Sequence, residues 1–547
     1  MESKRVYLAS GRGQGRIYSF YFGKSILLSP KEKLIADQAN DKWLTYLRAA
    51  DNAGILPVKD PEHIIRLKQV FAFSDFVAAG CIRDPAMPVD LIDSGDITRR
   101  YPGDEYDLKL KPVLSGVTDE ETLGRLLRRF RRRELVRIAW RDLSGWADLS
   151  ETVSDLSAFA DACLEHALNT LYQWQCCGYG TPTAADGSKQ RLVILGLGKL
   201  GARELNFSSD VDLIFGYPKA GDTRGAKESI STDEFFSRLC RRLIKVIGQP
   251  TADGFVFRVD TRLRPFGESG PLAMDFETME QYYQQQGREW ERYALIKARA
   301  VAGDKKAGAF LLDRLNPFIY RRYLDYSVFE SLREMKRMIA LEVRRKGMQN
   351  NIKLGAGGIR EIEFFGQIFQ LIRGGVNPAL QNTGILKVLN ILAAEHHVPP
   401  EVCDELINAY VFLRNTENRL QAFSDQQTHK LPAEDHGQLR LAVSMGFPDR
   451  ESFNSALKNH RDIVHGHFQM LLESGDRQDR QQNIEDPADV IWQNPATGQQ
   501  TDNMLSAMGF GHSKEVIRLL TYLKNDPETR ALSPLGRRRL DKLVPRF

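Results

Sequence analysis

The chain has 547 residues, 42% hydrophobic and 27% charged, a balance that excludes disorder along its whole length and suggests three or four domains at roughly 150 residues each. Lys plus Arg number 76 against 71 Asp plus Glu, a formal charge of +5, too near neutrality over this length to argue for nucleic acid. No stretch approaches the roughly 20 apolar residues of a membrane helix, the basic N-terminal stretch has no apolar run of the secretory kind, and the six cysteines are too sparse for a disulfide framework or a zinc site, which together fit a reduced cytoplasm.

Residues 1–60 carry no assignable pattern. From Phe71 to Leu171 the spacing is helical, with Leu123, Leu126, Phe130, Ile138 and Ala139 separated by arginines, so 61–180 is expected to be a helical region. Thr181 to Gln190 (TPTAADGSKQ) reads as a small-residue loop. Leu192 to Leu195 reads as a buried strand, and Val211–Phe215 and Phe255–Asp260 alternate with period two as two more. Glu234 to Ile247 between them reads as a helix, so 181–305 forms a mixed α/β unit. Helices return in 306–475, where Val328, Leu332, Met335, Ile339 and Val343 mark one face, and Leu406, Leu413 and Leu420 another with Ala409 and Tyr410. The polar stretch from Asp476 to Pro487 reads as a linker, extended to 490, and 491–547 as a helical tail. The expected fold is mainly α with an embedded α/β domain and helical regions on both sides.

Gly196-Leu-Gly198-Lys-Leu-Gly201 matches G-x-G-x-x-G after a strand, but a dinucleotide site needs its acid about 20 residues on, after a helix and a second strand. Here Asp210 and Asp212 follow Gly201 by 9 and 11 residues, and no G-K-[ST] is present for a Walker A loop. On a strand these two acids share one face, with Val211, Leu213 and Phe215 on the other. Asp260 can join them from a neighbouring strand. Three hard carboxylates suit one or two Mg²⁺ ions, and two ions roughly 3.5–4 Å apart can clamp an in-line phosphoryl displacement. Gly198 and Gly201 permit close backbone approach to an anion, and Lys199 adds a point charge. Arg262 and Arg264 follow Asp260 at the same period and are expected to face the cleft as phosphate donors. Taken singly these signals are weak, since a lone D-x-D is usually a solvated edge and nearby arginines usually surface pairs. Their conjunction points to a metal-dependent nucleotidyltransferase.

GLGKLGARELNFSSDVDLIFGYP resembles the signature of the bifunctional glutamine synthetase adenylyltransferase/adenylyl-removing family. The resemblance continues in DGFVFRVDTRLRPFGESGPL, YYQQQGREWERYALIKARAVAGD and NIKLGAGGIREIEFFGQIFQLIRGG, with weaker matches in FSDFV and FRRRELVRIAWRDL. It runs from about residue 65 to about 475. The wording is similar to that family's N-terminal, adenylyl-removing half, and with no second copy of the motifs the chain is expected to hold that half plus part of the joining region. The resemblance implies a polymerase-beta-like nucleotidyltransferase domain that removes AMP from adenylyl-tyrosine of glutamine synthetase, taking orthophosphate and releasing ADP. It implies Asp210, Asp212 and Asp260 as catalytic metal ligands for Mg²⁺ or Mn²⁺, and Gly198, Lys199, Gly201 and Ser209 as the nucleotide-phosphate turn. It implies glutamine synthetase and a PII-type signal protein as partners, with nucleotide and orthophosphate as small ligands. Ala202 departs from the glycine that the family often has.

The alternatives are ATP-dependent adenylylation of the same protein, a nucleic-acid-binding or polymerase-like protein, and a non-catalytic regulatory scaffold or fragment. No strand-tracking basic and aromatic stripe supports nucleic acid. Arg288, Arg292, Lys297 and Arg299 could face a nucleotide or partner, or lace a helix with ion pairs. Glu361 and Glu363 are expected to favour a helix N-terminus. The run Arg128, Arg129, Arg131, Arg132 and Arg133 is expected as a solvated face that could meet an acidic partner. His460, His465 and His467 lack metal-pair spacing, and Cys176–Cys177 reads as packing.

Overall fold

The computed structural model describes residues 30–321, 345, 350–481, 488, 491–492, 498–532, 537, 540–541 and 544. The helix expected at Val328, Leu332, Met335, Ile339 and Val343 lies outside the described residues, as do residues 1–29 of the unassigned lead-in. The rest of that lead-in is not loose. Pro30–Asn52 forms helix α1 and turns Ile35, Ala39, Trp43 and Tyr46 inward at spacings of four, four and three. That stripe packs on α2 (Pro61–Phe73) and α3 (Asp75–Arg83). The caps are local: Asp60 accepts from the His63 N–H and Ser74 from the Val77 N–H. Helices α4 (Met87–Asp93), α5 (Glu105–Val113), α6 (Glu120–Leu143) and α7 (Leu149–Tyr179) complete the N-terminal layer.

The arginine run on α6 is largely interior, which corrects the expected solvated face. Arg131 donates to Asp425, Arg133 to Asp90 and Asp96, Arg137 to Glu134 and Asp155, and Arg141 to Glu151. Arg128, Arg131, Arg137 and Arg141 are buried, and Arg129 remains exposed. The helix is covered on most of its circumference, so its guanidiniums act as struts between elements. Such pairs add little net stability over apolar packing, but removal of one partner strands the other.

The α/β unit comprises β1 (Thr181–Ala184), β2 (Val193–Gly196), α8 (Gly198–Gly201), β3 (Val211–Tyr217), β4 (Gly221–Arg224), α9 (Thr232–Gly248), β5 (Val259–Asp260), β6 (Ala273–Asp275), α10 (Phe276–Gln286), α11 (Glu289–Leu295), β7 (Arg299–Gly303) and α12 (Lys305–Ile319). The main sheet runs β5–β3–β2–β7, with β6 beside β3. Strand β2 is antiparallel to β3 and β7, while β3 is parallel to β5 at its start and to β6 further along. The antiparallel β2–β3 pair is what a dinucleotide βαβ unit cannot be. Helix α9 covers the sheet with a stripe of Phe235, Phe236, Leu239, Cys240, Leu243, Val246 and Ile247.

Two local expectations are corrected. Thr181–Ala184 is a short strand paired with Gly221–Arg224, not loop. Of Phe255–Asp260 only Val259 and Asp260 are strand. The N–H groups of Val256 and Phe257 both donate to the Ile247 carbonyl, and both side chains are buried. Apolar surroundings on two sides, rather than a solvated face, thus account for that alternation.

Beyond the sheet lie α13 (Ile359–Arg373), α14 (Ile385–Ala394), α15 (Pro400–Ser424), α16 (Asp435–Ser444) and α17 (Arg450–Gln481). The heptad Leu406, Leu413 and Leu420 is buried together with Ala409 and Tyr410. Helix α15 packs on α13, α14 and α16 and also reaches α2, α3 and α7, so it joins the later helices to the N-terminal layer. The first six residues of the expected linker, 476–481, continue α17. Residues 469–547 form a second compact unit, in which α18 (Gln499–Ala507), α19 (Ser513–Asn525) and α20 (Pro527–Arg530) accompany a small core of Ile491, Leu505 and Ile517. All six cysteines are free thiols. Among the described residues no helix is long and apolar enough to cross a membrane.

Candidate active site

The three acids singled out in the sequence lie at the same end of the sheet. Asp212 and Asp260 are paired across β3 and β5 in parallel register, and Asp210 stands just before β3. Val211, Leu213 and Phe215 anchor the strand with 1% exposure or less. Burial pushes the Asp212 carboxyl up to about 6, and the neighbouring Asp260 and Asp210 charges add to the rise. Asp260 is held below the usual carboxylate range by Arg262, which donates to it from its backbone N–H at 2.8 Å and from Nη2 at 2.5 Å. Asp210 accepts from Arg258 Nε at 2.9 Å, while Arg258 Nη2 braces the Ser208 carbonyl and hydroxyl.

The glycine turn is shaped by close approach of the chain to itself. Gly198 has φ +54°, and a Cβ there would lie 2.5 Å from Asp212 Oδ2. Its bare backbone therefore borders the carboxylate directly. Gly201 closes the turn, with space for a Cβ blocked by the Lys297 carbonyl at 1.8 Å. Gly201→Ala is expected to cost about 3 kcal/mol or more, beyond ordinary overpacking, because backbone must move to admit the methyl; urea denaturation measures it, and a loss under 1 kcal/mol would contradict the placement. Ala202 sits at φ −73°, where alanine carries no backbone penalty. Ser209 lies half-buried between Ser208 and Asp210.

The loop from Glu204 to Ser208 is clamped by polar residues of α15 that sequence reading passed over. Arg414 donates to the Glu204 carbonyl and Asn206 Oδ1, each at 2.5 Å. Asn418 accepts from the Phe207 N–H and Gln421 from the Ser208 N–H. Glu417, fully buried, takes Lys199 at 2.8 Å and His429 at 2.8 Å. Burial pushes the Lys199 ammonium down to about 7 against the pull of Glu417. Glu417 itself is held well below its usual range, because Lys199, His429 and Arg414 outweigh its burial. A second buried pair, Lys297 with Glu363 at 2.6 Å, lies beside the first. Burial opposes ionisation of Glu363, yet Lys297 and Lys199 bring it down to about 2. The signal that could have found this clamp is Arg414, Glu417, Asn418 and Gln421, a polar stripe at spacings of three, one and three beside an apolar heptad.

The arginines divide. Arg262 is exposed and closes on Asp260. Arg264 is buried and gives its donors to Thr261, Glu268 and Gly270, so it braces the loop after β5. Arg292 pairs with Glu289, and Arg299 binds Asp161 and the Leu200 carbonyl, so much of the 288–299 segment is internal strutting. Glu361 accepts from the Gly357 N–H before α13 and meets His465, whereas Glu363 belongs to the buried pair. His460 stacks on Phe412 and His467 pairs with Glu405. Among the described residues no three acidic, histidine or cysteine side chains converge to metal-holding distance. Asp210 and Asp260 are turned onto Arg258 and Arg262 instead. Their hard-oxygen chemistry and the crowding felt by Asp212 fit a divalent cation.

The chain matches the family described as glutamate-ammonia ligase adenylyltransferase over residues 64–313, and that described as GlnD PII-uridylyltransferase over residues 333–472. Together these spans coincide with the stretch over which the motifs carry the resemblance. The chain is 52% identical over 482 residues to the bifunctional glutamine synthetase adenylyltransferase/adenylyl-removing enzyme of Nitrosococcus oceani, covering 87% of this chain and 49% of that protein. Against the protein of the same description from Pseudomonas aeruginosa it is 45% identical over 519 residues, covering 94% and 53%. The chain thus spans about half the length of the curated relatives it matches.

Proposed function

We propose, from the match of residues 64–313 to the family described as glutamate-ammonia ligase adenylyltransferase, that the chain is a nucleotidyltransferase that removes AMP from adenylyl-tyrosine of glutamine synthetase by phosphorolysis. The observation that carries the chemistry is the register pairing of Asp212 with Asp260 at the end of β3 and β5, with Asp210 near enough to act on Asp212, beside the bare backbone of Gly198. Asp210, Asp212 and Asp260 would hold Mg²⁺ or Mn²⁺, which when bound supplies Lewis-acid neutralisation of charge on the transferring phosphoryl group.

The chain's own residues do the rest. The bare backbone of Gly198 borders Asp212 and is the part of the turn that would approach an adenylyl phosphate. The α15 clamp fixes the 204–208 loop, and with it Asp210, so the carboxylates are placed before substrate arrives. Orthophosphate attacks phosphorus in line with the tyrosyl oxygen; the new P–O bond gives ADP, the P–O(tyrosyl) bond breaks, and the proton of hydrogenphosphate goes to the tyrosine. Arg262, exposed at the cleft, and Lys199, behind the glycine turn in its buried pair with Glu417, place positive charge around the acids. The match across 333–472 to a family whose description names PII supports a PII-type signal protein as a partner. The cytoplasm is its proposed compartment. The interior placement of much of the α6 arginine run supports a protein substrate over nucleic acid.

Incubation with adenylylated glutamine synthetase, Mg²⁺ and orthophosphate is expected to release ADP, and omission of phosphate to stop it. The relatives' description names both directions, so a parallel reaction holds unmodified synthetase with labelled ATP. Label passing to the synthetase there, without ADP release in the first, would assign the chain to adenylylation instead. Inactivity of both, with signal protein added, would support a regulatory scaffold.

A further inference from the structure

Two cations bear on the Asp212 carboxylate, Arg262 and Lys353. Arg262 is already closed onto Asp260. The other cations around the site are engaged in the same way: Lys199 with Glu417, Lys297 with Glu363, Arg258 with Asp210, and Arg264 with backbone carbonyls. Lys353 differs. Its charge reaches Asp212, Lys199, Glu363 and His429, yet its ammonium has no carboxylate and no hydrogen bond among the described residues. It is half-buried, so its head remains open to a ligand.

The backbone under Lys353 is held from several sides. Asn351 Oδ1 accepts from the N–H groups of Lys353 and Leu354 at 2.9 Å each. The Ile352 N–H donates to the His429 carbonyl at 2.9 Å, and Ile352 is fully buried. Gly357, at φ +69°, lies so close to the Arg461 carbonyl that a Cβ would come within 1.9 Å of it. The Arg360 N–H donates back to the Lys353 carbonyl, tying the loop to the start of α13. His429, which holds Ile352, also pairs with Glu417, the partner of Lys199 beside the glycine turn. A fixed backbone, an open ammonium and a field reaching the acidic centre make an anion receptor.

We propose that Lys353 is a catalytic residue of the phosphorolysis, its ammonium receiving the incoming orthophosphate. The inference rests on the phosphorolytic reading and adds to it the group that binds the second substrate. Lys353 lowers the repulsion between hydrogenphosphate and the acidic centre without being held by a carboxylate of its own.

The test uses the full chain, as wild type, Lys353→Met and Lys353→Arg. With adenylylated synthetase, Lys353→Met is expected to raise KM for orthophosphate at least tenfold, to leave KM for the protein substrate within twofold, and to keep the melting temperature. Lys353→Arg is expected to recover most of the phosphate affinity. An orthophosphate KM within twofold of wild type in Lys353→Met would overturn the proposal. A second measurement needs no turnover: inorganic phosphate is expected to slow amine labelling of Lys353 in the wild-type chain at least threefold. Unchanged labelling would overturn the phosphate site. Wild type that protects Lys353 yet releases no ADP would retain the anion site and reject the phosphorolytic reading.

Discussion

Asp212→Asn is expected to abolish phosphorolysis, by on the order of 10³-fold or more, while leaving the protein as stable as wild type or more so. The loss follows from position, because Asp212 is the carboxylate flanked by both of the others and bordered by the bare backbone of Gly198. Loss of one group that stabilises developing charge costs on the order of 10²–10³-fold, and loss of a metal ligand adds to that. The stability argument has the opposite sign. The folded value of about 6 lies above the ordinary 3.8, so the folded state binds the extra proton. The Asp212 contribution is therefore most favourable at low pH and is lost as pH rises from about 4 to 6. At pH 7 the ionised carboxylate opposes folding, and asparagine removes that cost. A variant that melts well below wild type would show Asp212 to be structural, and a variant that keeps full turnover would remove it from the reaction.

The largest stability effect is expected at Glu417. It is wholly buried between Lys199, His429 and the Arg414 guanidinium. Glu417→Gln leaves two buried cations without their anion and is expected to cost about 3–5 kcal/mol. Pairing it with Lys199→Met removes one of those stranded charges, so the double variant is expected to regain at least about 1 kcal/mol over the sum of the singles. Urea denaturation of the four proteins measures the cycle. Strict additivity would show that Lys199 and Glu417 are not coupled.

What the sequence made legible was the centre of the site. Asp212 on a strand with Asp210 just before it, Asp260 beside them and a glycine turn ahead of them are short-range patterns, readable from period two and from glycine spacing. The strand β3, the helix α9 and the heptad of α15 were legible for the same reason. What escaped was set by tertiary contact. Arg264 shares the period of Arg262, but a turn after β5 sends it inward to three loop residues. The arginines of α6 have their partners as far away as Asp425, so charge pattern alone read much of an interior ladder as surface. Lys353 and Glu417 sit 141 and 205 residues from Asp212, and only the packing of α15 and the 350–358 loop brings them to it. The short β5 shows the limit of alternation itself, since Val256 and Phe257 are both buried and the strand starts only at Val259.

The central claim is that phosphate, not water, takes the adenylyl group. Isotopically labelled orthophosphate supplied with the chain, Mg²⁺ and adenylylated glutamine synthetase tests it most directly. The expected result is label in the β-phosphate of ADP, one equivalent for each tyrosine freed, and none with Asp212→Asn. Release of AMP instead of ADP, or ADP without label, would contradict it.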